Sequence, residues 1–483
     1  MIWSVLFLGF TLTSARVALV SADSDSAWHR VLGDWMIQHH AIVREYNLLH
    51  TIHGPLLTKE WLSEVIFAVA GKALGWNGVA LIAATLIATC FWLLHRELLA
   101  EGTDAVLATG LVLVAIFACS IHWIARPFLF THLLTLVFAW QLRWFQQGRV
   151  SARQLFMRLP SLMILWVNLH GAFMTGLILI GMYALGTTIS GWRRPLDGHK
   201  ARTLWALLLV CFFALLVNPN GWTLPAHLLD FLGSRELSTF TTENASLNFH
   251  TSSLLGFSFL LFLLGLGLLI VRPKINATDV LLVGGWGYFA LLYGRNASIF
   301  ALVVTPLLAQ WGREFIEANH NARWSQRYRA WTTSVTATNQ GAGDAMIIVV
   351  LVGMLLLMAK PWIITDFPPN RYPVAAVDFV RAHPEIVHGE MYNALLWGGY
   401  IEFYLPERKP FIDSRNDFYG IDLVHDFSML DGPKAGWSTV FARYNVGWTI
   451  LPVQHPLNRI LELSPNWVRV FSNQQTLIFS HVS

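Results

Sequence analysis

Charged residues are scarce in this chain. Only 13% of its 483 residues are Asp, Glu, Lys or Arg, whereas about a quarter of an ordinary soluble domain is charged. Apolar residues make up 55%, and the mean hydropathy is +0.49. Several apolar runs, such as 204–217, 254–271 and 345–359, are long enough and poor enough in charged residues to be membrane spans, which need ~20 residues. The composition excludes an ordinary soluble protein and predicts a polytopic membrane protein.

Cysteine is also rare, and familiar catalytic motifs are missing from the sequence. Cys90, Cys119 and Cys211 lie in apolar runs, so no disulfide framework is predicted. We find no HExxH helix, no paired CxxC and no Ser-His-Asp order. The net charge of +4 comes mostly from short loops between apolar runs, where basic residues set membrane orientation. No nucleic-acid partner is expected.

The distribution of basic residues predicts how the chain threads the membrane. The rule that basic loops stay inside puts the N-terminus inside and the loops 21–61 and 218–250 outside, together with the C-terminal segment. The segment 159–185 has basic loops on both sides, so we expect two shortened helices that meet near the outer face at 166–171. About eleven crossings result.

The first apolar run has two interpretations. Residues 1–20 are either a cleavable signal ending at Val20-Ser21-Ala22 or an uncleaved first helix. No basic segment precedes the run, and Arg16 interrupts it near its outer end. We therefore expect an uncleaved helix.

A domain boundary is predicted where the composition changes at 366–370. Residues 1–364 are then an α-helical membrane domain, and 365–483 an extracytoplasmic domain. In the second part the pattern predicts helices at 374–383, 395–405 and 439–445, and strands at 389–394, 409–415, 446–453, 466–472 and 475–482. This alternation favours a small α/β domain.

Two acids stand where the first apolar run ends. Asp23 and Asp25 would lie beside low-dielectric material, with Trp28 and His29 following them. Such a carboxylate can accept a proton from a sugar hydroxyl, and the pair can also bind a divalent cation. The plainer alternative is that Asp25 or Ser26 only caps the next helix.

Further polar residues accumulate at the same predicted outer level. Arg126 and Arg295 can each direct two N–H donors at phosphate oxygens, so they are candidate clamps for a lipid phosphate. Alternatively, each pairs with a loop carboxylate or extends outward to water. Other members of this predicted set are Arg16, His132, Asn168, His170 and Asn296.

Two patches stand out in the C-terminal part. The pair Gly398-Gly399 can approach phosphate at a helix start, although a tight turn is the favoured explanation. Asp413, Arg415 and Asp417 can contact a saccharide or hold the domain together through salt bridges.

Taken in order, these stretches resemble bacterial polytopic glycosyltransferases of the GT-C superfamily. The resemblance rests on D-x-D before Trp and His, then E-W-L at 60–62, A-R-P-F at 125–128, W-V-N-L-H-G at 166–171, N-P-x-G at 218–221 and R-N at 295–296. In the outer part, W-G-G-Y and F-I-D-S-R-x-D-x-Y-G resemble the C-terminal domain of one branch of that superfamily. The resemblance spans 23–448.

The resemblance implies transfer of a sugar from a polyprenyl-phosphate donor to a lipid, glycan or protein acceptor, on the outer face of the bacterial inner membrane. An acid of the first outer loop is the catalytic base in that superfamily, so Asp25 or Asp23 takes this role, with Glu60 in reserve. The expected reaction is a single inverting displacement in which Arg126 or Arg295 stabilises the leaving phosphate.

The same resemblance implies a substrate site and no cofactor. Substrate-binding residues would be Trp28, His29, His132, Asn168, His170 and Asn296, with Arg16 a third phosphate ligand. A metal is not expected, because a lipid-phosphate donor carries no pyrophosphate, although a divalent cation at Asp23 and Asp25 stays conceivable. Membrane lipids are the remaining partners.

Two other classes of function compete with this one. A non-catalytic scaffold or flippase-type component of envelope polysaccharide assembly would bind glycan with its outer domain and hold lipid in the polar cavity. A secondary transporter would need a polar site at mid-membrane within inverted repeats. Here the polar groups gather at the outer level, and we see no internal repeat.

Overall fold

The computed structural model describes residues 2–191, 197–233, 246–251, 254–338, 343–360, 363–415 and 418–482. Part of the second outer loop, 234–245, and the saccharide candidate Asp417 lie outside the described residues. The helices before residue 360 are α1 Ile2–Leu12, α2 Ala15–Ser21, α3 Asp25–His39, α4 Trp61–Leu74, α5 Trp76–Ala100, α6 Ala105–Cys119, α7 Phe128–Gln146, α8 Ala152–Leu169, α9 Met174–Gly191, α10 Asp197–Ala214, α11 Thr223–Gly233, α12 Leu255–Ile270, α13 Ala277–Leu292, α14 Ala297–Ala318, α15 Arg323–Thr338 and α16 Gly343–Met358.

Five helical segments of the described chain are long and apolar enough to cross a membrane. They are Trp76–Ala100, Ala105–His122, Phe128–Gln146, Gly171–Gly191 and Gly294–Ala318. The bent pair α1 and α2 makes a sixth if it is one span, and Leu255–Ile270, Ala277–Leu292 and Ile347–Met358 are shorter apolar helices. The polytopic helical fold is confirmed, and the count of eleven crossings stays a prediction.

The first apolar run is bent, which differs from the single helix expected. Helices α1 and α2 meet at an angle of 74° around Thr13 and Ser14. The Thr13 hydroxyl donates to Gly9 O at 2.6 Å and accepts from the Ala15 N–H at 3.1 Å. Because these side-chain bonds replace part of the backbone ladder, the helix ends and restarts there.

The predicted break in the segment 159–185 is confirmed. Helix α8 ends at Leu169, His170 is extended with φ −160° and ψ 142°, and a 3-10 turn at Gly171–Phe173 leads into α9. Each flanking helix has 18 residues, so neither is shortened as we expected. The break places His170 between the ends of two helices.

The C-terminal part is a mixed sheet with short helices. Its helices are α17 Val374–Ala382, α18 Gly398–Tyr404, α19 Ile421–Asp431, α20 Trp437–Arg443 and α21 Pro456–Glu462, and its strands are β3 Glu390–Asn393, β4 Val446–Pro452, β5 Trp467–Ser472 and β6 Thr476–His481. A separate two-stranded pair, β1 Glu45–Tyr46 and β2 Gly54–Pro55, lies in the first outer loop. The four-stranded order is β3-β4-β6-β5, with only β3 and β4 parallel. The predicted α/β class is confirmed.

One predicted strand, 409–415, is wrong. This segment forms no strand, and its backbone is bound by side chains and by the His50 N–H, which donates to Pro410 O at 3.3 Å. The Asn393 amide oxygen accepts from the N–H groups of Phe411 and Ile412, at 2.7 and 3.3 Å, and its NH₂ donates to Ile412 O at 2.9 Å. A sequence pattern reports an extended apolar segment but not what pairs with it.

The first outer loop and the C-terminal part share one hydrophobic core. Trp28, Leu32 and Met36 of α3 cluster with Tyr392 and Phe411, among others of the C-terminal part. A second, larger core joins the membrane helices and also includes Tyr372, Met391 and Trp448 of the C-terminal part. The predicted boundary at 364 therefore separates segments of different composition that nevertheless pack on each other.

Candidate functional site

The start of α3 fixes the two acids of the first outer loop. Helix α3 begins at Asp25, and the Asp25 backbone N–H donates to Asp23 Oδ1 at 2.9 Å. Asp23 therefore satisfies a helix-start donor, whereas the plainer interpretation expected a cap at Asp25 or Ser26. The Ser26 hydroxyl donates to Val20 O at 2.6 Å. Both carboxylates are buried.

Arg126 joins both carboxylates. It lies in the turn before α7, where the Ala125 N–H donates to Leu19 O at 2.6 Å and holds the turn against α2. Its Nη2 contacts Asp23 Oδ2 in a very short ion pair and lies 3.1 Å from Asp25 Oδ2. Two acids and one guanidinium thus form a compact charged group.

The C-terminal part closes over this group. The Ser414 hydroxyl donates to Asp25 Oδ1 and accepts from Trp28 Nε1 at 3.2 Å. The Arg415 guanidinium lies 4.8 Å from the centre of the Trp28 ring, within cation–π range. Residues 25–28 are therefore held from two sides, by Arg126 and by the segment 414–415.

A cavity of about 130 Å³ lies between these elements. Asp25 and Trp28 line it together with Arg126 and Arg295, so it combines carboxylate, guanidinium and aromatic groups. Its polar and charged lining residues are Asp25, His29, Thr58, Lys59, Glu60, Glu64, His122, Arg126, His170, Arg295, Ser414 and Arg415. Such a lining can bind an anion next to a carboxylate that accepts a proton.

Arg415 is held by two buried acids. Its Nε donates to Asp413 Oδ2 at 2.8 Å, and its Nη2 contacts both Asp413 and Glu402, the latter at 2.5 Å. Burial alone raises the pKa of Asp413, but Arg415 and the Tyr419 hydroxyl lower it to about 2. Burial raises the pKa of Glu402 well above its usual range. Arg415 thus favours the ionised form of Asp413, whereas burial favours the protonated form of Glu402.

A second buried group lies where α3 meets the start of α4, a helix outside the candidate spans. His29 Nε2 is 3.9 Å from Glu60 Oε2, and His29 Nδ1 is 3.5 Å from Glu64 Oε1. Burial, followed by the charges of Arg126 and Arg415, lowers the pKa of His29 well below its usual range. Burial, followed by the Glu60 charge, raises the pKa of Glu64 well above its usual range.

His170 completes this group from the break between α8 and α9. Its Nδ1 accepts from the Ala172 N–H at 3.2 Å and lies 2.8 Å from the Thr131 hydroxyl, which itself accepts from Trp166 Nε1 at 2.9 Å. Because Nδ1 is an acceptor, the ring proton is on Nε2, which lies 3.4 Å from Glu60 Oε1.

Six of the predicted site residues line the cavity beside Asp25, and five do not. The six are Trp28, His29, Glu60, Arg126, His170 and Arg295. Those outside its lining are Asp23, Arg16, His132, Asn168 and Asn296. Their roles stay predictions.

The residues outside the lining have structural contacts of their own. Arg16 donates to Thr11 O at 3.1 Å and is not among the residues that line the cavity. Asn168 accepts from Trp61 Nε1 at 2.7 Å and donates to Val217 O at 2.8 Å, which ties α8 to two other segments. Asn296 donates to Phe289 O at 3.3 Å.

Sequence reasoning missed several polar or aromatic members of the lining. Among them are Lys59, Glu64, Ser414 and Phe418. The fourth residue after Glu60 on a helix shares its face, so the spacing was a signal for Glu64. Ser414 and Phe418 come from a distant segment and left no local signal.

The Gly-Gly pair serves close packing rather than phosphate binding or a tight turn. Both glycines open α18, and a Cβ on Gly398 would lie 2.3 Å from Ile412 O. A Cβ on Gly399 would lie 2.4 Å from Ser24 O, on the turn that carries Asp25. The two glycines thus bring α18 against the segment before Asp413 and against the start of α3.

No protein-family model matches the sequence, and no curated protein matches it. Solved structures do resemble the fold. The archaeal oligosaccharyltransferase AglB from Archaeoglobus fulgidus, in complex with an inhibitory peptide and a dolichol-phosphate, superposes with a TM-score of 0.57 at 11% identity, over 94% of this chain and 69% of that one. The same oligosaccharyltransferase tethered with an acceptor peptide superposes with a TM-score of 0.55 at 13% identity, and the match covers 100% of this chain and 74% of that one. ArnT from Cupriavidus metallidurans in the apo state superposes with a TM-score of 0.50 at 14% identity, and the match covers 99% of this chain and 98% of ArnT.

These similarities extend over nearly the whole chain, membrane helices and C-terminal part together. At such low identity they describe architecture, and they agree with the helical spans and the C-terminal α/β sheet described above. The chain is an integral membrane protein whose fold is similar to that of the oligosaccharyltransferase AglB and of ArnT.

Proposed function

We propose that this protein is a membrane glycosyltransferase that moves a sugar from a polyprenyl-phosphate donor to a lipid, glycan or protein acceptor, with inversion at the anomeric carbon. The observation that carries the proposal is the cavity that Asp25 shares with Arg126 and Arg295 in a GT-C fold. Inverting transfer needs a base on one side of the anomeric carbon and stabilisation of the leaving phosphate on the other. Carboxylate and guanidinium groups of one cavity supply both.

Asp25 is the better candidate for the base. It lines the cavity, whereas Asp23 accepts the Asp25 backbone N–H and pairs with Arg126 behind it. In the proposed reaction Asp25 takes the proton of the acceptor hydroxyl, whose oxygen attacks the anomeric carbon while the bond to the lipid phosphate breaks. Asp23 positions Asp25 and Arg126.

Arg126 and Arg295 are proposed to receive the lipid phosphate. Arg126 lines the cavity and lies 3.1 Å from Asp25 Oδ2, so it would hold a phosphate in the same cavity as the base. Arg295, from the short turn before α14, lines the same cavity. That a similar fold in AglB was solved with dolichol-phosphate and a peptide supports a lipid-linked donor and leaves a peptide among the possible acceptors.

The proposal includes an orientation. The cavity faces the predicted outer level, so we place the N-terminus inside, the C-terminal domain of residues 365–483 outside, and the protein in a bacterial inner membrane. Reporter fusions at the loop 147–151 and at the C-terminus test this. Activity of an exported reporter at the loop, or of a cytoplasmic reporter at the C-terminus, would reverse the orientation.

The decisive experiment separates binding from transfer. Purified protein is incubated with a radiolabelled polyprenyl-phosphate hexose and membrane extract as acceptor source, and undecaprenyl phosphate binding is measured separately by native mass spectrometry. Asp25→Asn should abolish transfer and retain lipid binding, while Arg126→Ala and Arg295→Ala should weaken lipid binding. The matched control is Asp422→Asn, which neutralises an exposed acid at the start of α19.

Two results would count against the proposal. Full transfer by the Asp23→Asn and Asp25→Asn double variant would exclude catalysis at this loop. Lipid binding with no transfer by the unmodified protein, over a panel of hexose and pentose donors, would favour the non-catalytic scaffold or flippase-type component.

A further inference from the structure

We propose that His29, Glu60 and Glu64 bind one divalent transition-metal ion, of the Zn²⁺ or Mn²⁺ class. One nitrogen and two carboxylate oxygens of these residues lie within 4.8 Å of one another, and all three residues are buried. The inference goes beyond the proposed sugar transfer, which needs no metal. It also departs from the expectation that the sequence raised, which was no metal, with a divalent cation left open only at Asp23 and Asp25.

The spacing of the ligand atoms suits an ion. A metal bound at about 2.0–2.2 Å to each ligand holds its ligand atoms no more than about 4.4 Å apart. The one imidazole nitrogen and the two carboxylate oxygens that His29, Glu60 and Glu64 can offer lie within 4.8 Å of one another. A contraction of a few tenths of an ångström therefore closes the set around an ion.

Unsatisfied polar atoms supply the second observation. Glu64 Oε2 and His29 Nδ1 are buried and have no hydrogen-bond partner among the described residues, and each residue is only 2% exposed. A buried carboxylate oxygen without a donor is costly, and native proteins rarely leave one. A cation between the two side chains would give both atoms a partner.

The donor set narrows the class of ion. A neutral imidazole with two carboxylates suits Zn²⁺ or Mn²⁺, whereas Mg²⁺ and Ca²⁺ prefer oxygen ligands alone. Two carboxylates also balance the charge of a divalent ion. His170, with its Nε2 proton directed at Glu60 Oε1 at 3.4 Å, would orient that ligand as a hydrogen-bond donor from outside the metal's own ligands.

The ion would connect the two helices that form this side of the cavity. His29 lies in the second turn of α3, Glu60 precedes α4, and Glu64 lies in its first turn. Glu60 would then be a metal ligand and no longer a reserve base. The ion's contribution is to fix α3, and with it Asp25, against α4.

Metal content of the full-length protein tests the proposal directly. Protein purified in detergent is treated with a chelator, equilibrated with Zn²⁺ or Mn²⁺, separated from free ion by gel filtration and analysed by mass spectrometry for metal per chain. We expect about one ion per chain for the unmodified protein, and at least a tenfold lower content for His29→Ala and Glu64→Gln. The matched control is His383→Ala, which removes the histidine of an exposed His–Glu pair 3.6 Å apart and should keep the full content.

The thermal unfolding temperature gives a second test, which remains informative if a variant fails to fold. Zn²⁺ or Mn²⁺, but not Mg²⁺, should raise the thermal unfolding temperature of the unmodified protein, and Glu64→Asp, which keeps a carboxylate, should retain part of the effect. No ion bound by the unmodified protein, or full content in Glu64→Gln, would overturn the proposal. Neither the metal content nor the unfolding temperature depends on a donor or an acceptor, so failure of the metal proposal leaves the proposed sugar transfer standing. In the same way, loss of transfer in Asp25→Asn leaves the metal site standing.

Discussion

Replacing Gly399 by alanine tests whether the C-terminal part holds the catalytic loop in place. Gly399 is the second residue of α18, and a Cβ there would lie 2.4 Å from Ser24 O and 3.0 Å from Trp28 Cδ1. The Ser24 carbonyl accepts the Ala27 N–H at 3.0 Å in the first turn of α3, so it cannot turn away freely. The added methyl group must push α18 and α3 apart.

The size of the effect follows from this contact. Ordinary contact begins at 3.4 Å, so the two backbones must separate by about 1 Å. Overpacking of this kind costs about 1–3 kcal/mol, partly offset by the gain of up to about 1 kcal/mol when alanine replaces glycine in a helix. We expect a net loss of about 1–2 kcal/mol in unfolding free energy. A 1 Å shift at a catalytic group can lower the rate of transfer roughly 100-fold.

Denaturant unfolding of the purified protein, followed by tryptophan fluorescence, measures the loss of unfolding free energy. Transfer of sugar from a lipid-linked donor measures the loss of catalytic rate. The control is Gly420→Ala in the same part of the chain, where φ is −70° and a Cβ meets no atom within 4 Å. This variant should be as stable as the unmodified protein or slightly more so. A Gly399→Ala protein that matches the Gly420→Ala protein in both assays would refute the packing argument.

Three further predictions concern buried polar groups. Asp413→Asn removes the main partner of the buried Arg415 charge and should lower the unfolding free energy by about 3–5 kcal/mol. The control Asp378→Asn, in an exposed ion pair, should lower it by less than about 1 kcal/mol. Because the pKa of Asp413 falls from 3.8 to about 2 in the folded protein, its contribution, roughly 2 kcal/mol, is complete above about pH 4 and is lost as the pH falls to about 2. Acid unfolding of Asp413→Asn should lack this dependence, and an unchanged acid transition would contradict the assignment. Trp61→Phe removes the 2.7 Å hydrogen bond to Asn168 and should lower the denaturation midpoint by an amount equivalent to about 1–2 kcal/mol, whereas an unchanged midpoint would show that this bond does not hold α8.

The site is shared between parts of the chain that differ in composition. Asp25 belongs to the first outer loop, Arg126 to a turn between membrane helices, and Ser414 to the C-terminal part, yet all three lie in contact. A catalytic loop held in this way is sensitive to changes in the C-terminal part. Variants such as Gly399→Ala and Asp413→Asn therefore report on the cavity although neither residue lines it.

Sequence reasoning found the cavity's acids and arginines more readily than its other members. Asp25, Arg126 and Arg295 were recognisable because charge is rare in a chain this apolar, and a charged group beside a membrane needs a reason to be there. Ser414 and Phe418 gave no such signal, because a serine or a phenylalanine is ordinary in a segment of mixed composition. Asn168 did stand out, but its amide is engaged in holding α8 rather than in the cavity lining.

The sequence by itself determined the class of the protein. Low charge and long apolar runs require a bilayer, the alternating pattern after residue 370 requires a sheet with helices, and the polar break at His170 ends a helix, because each depends only on local composition and period. Only the tertiary structure decided which groups meet. The pairing of Arg126 with Asp25, the placement of Ser414 over it and the approach of His29 to Glu60 and Glu64 join residues up to 389 positions apart, and no local pattern encodes such a distance.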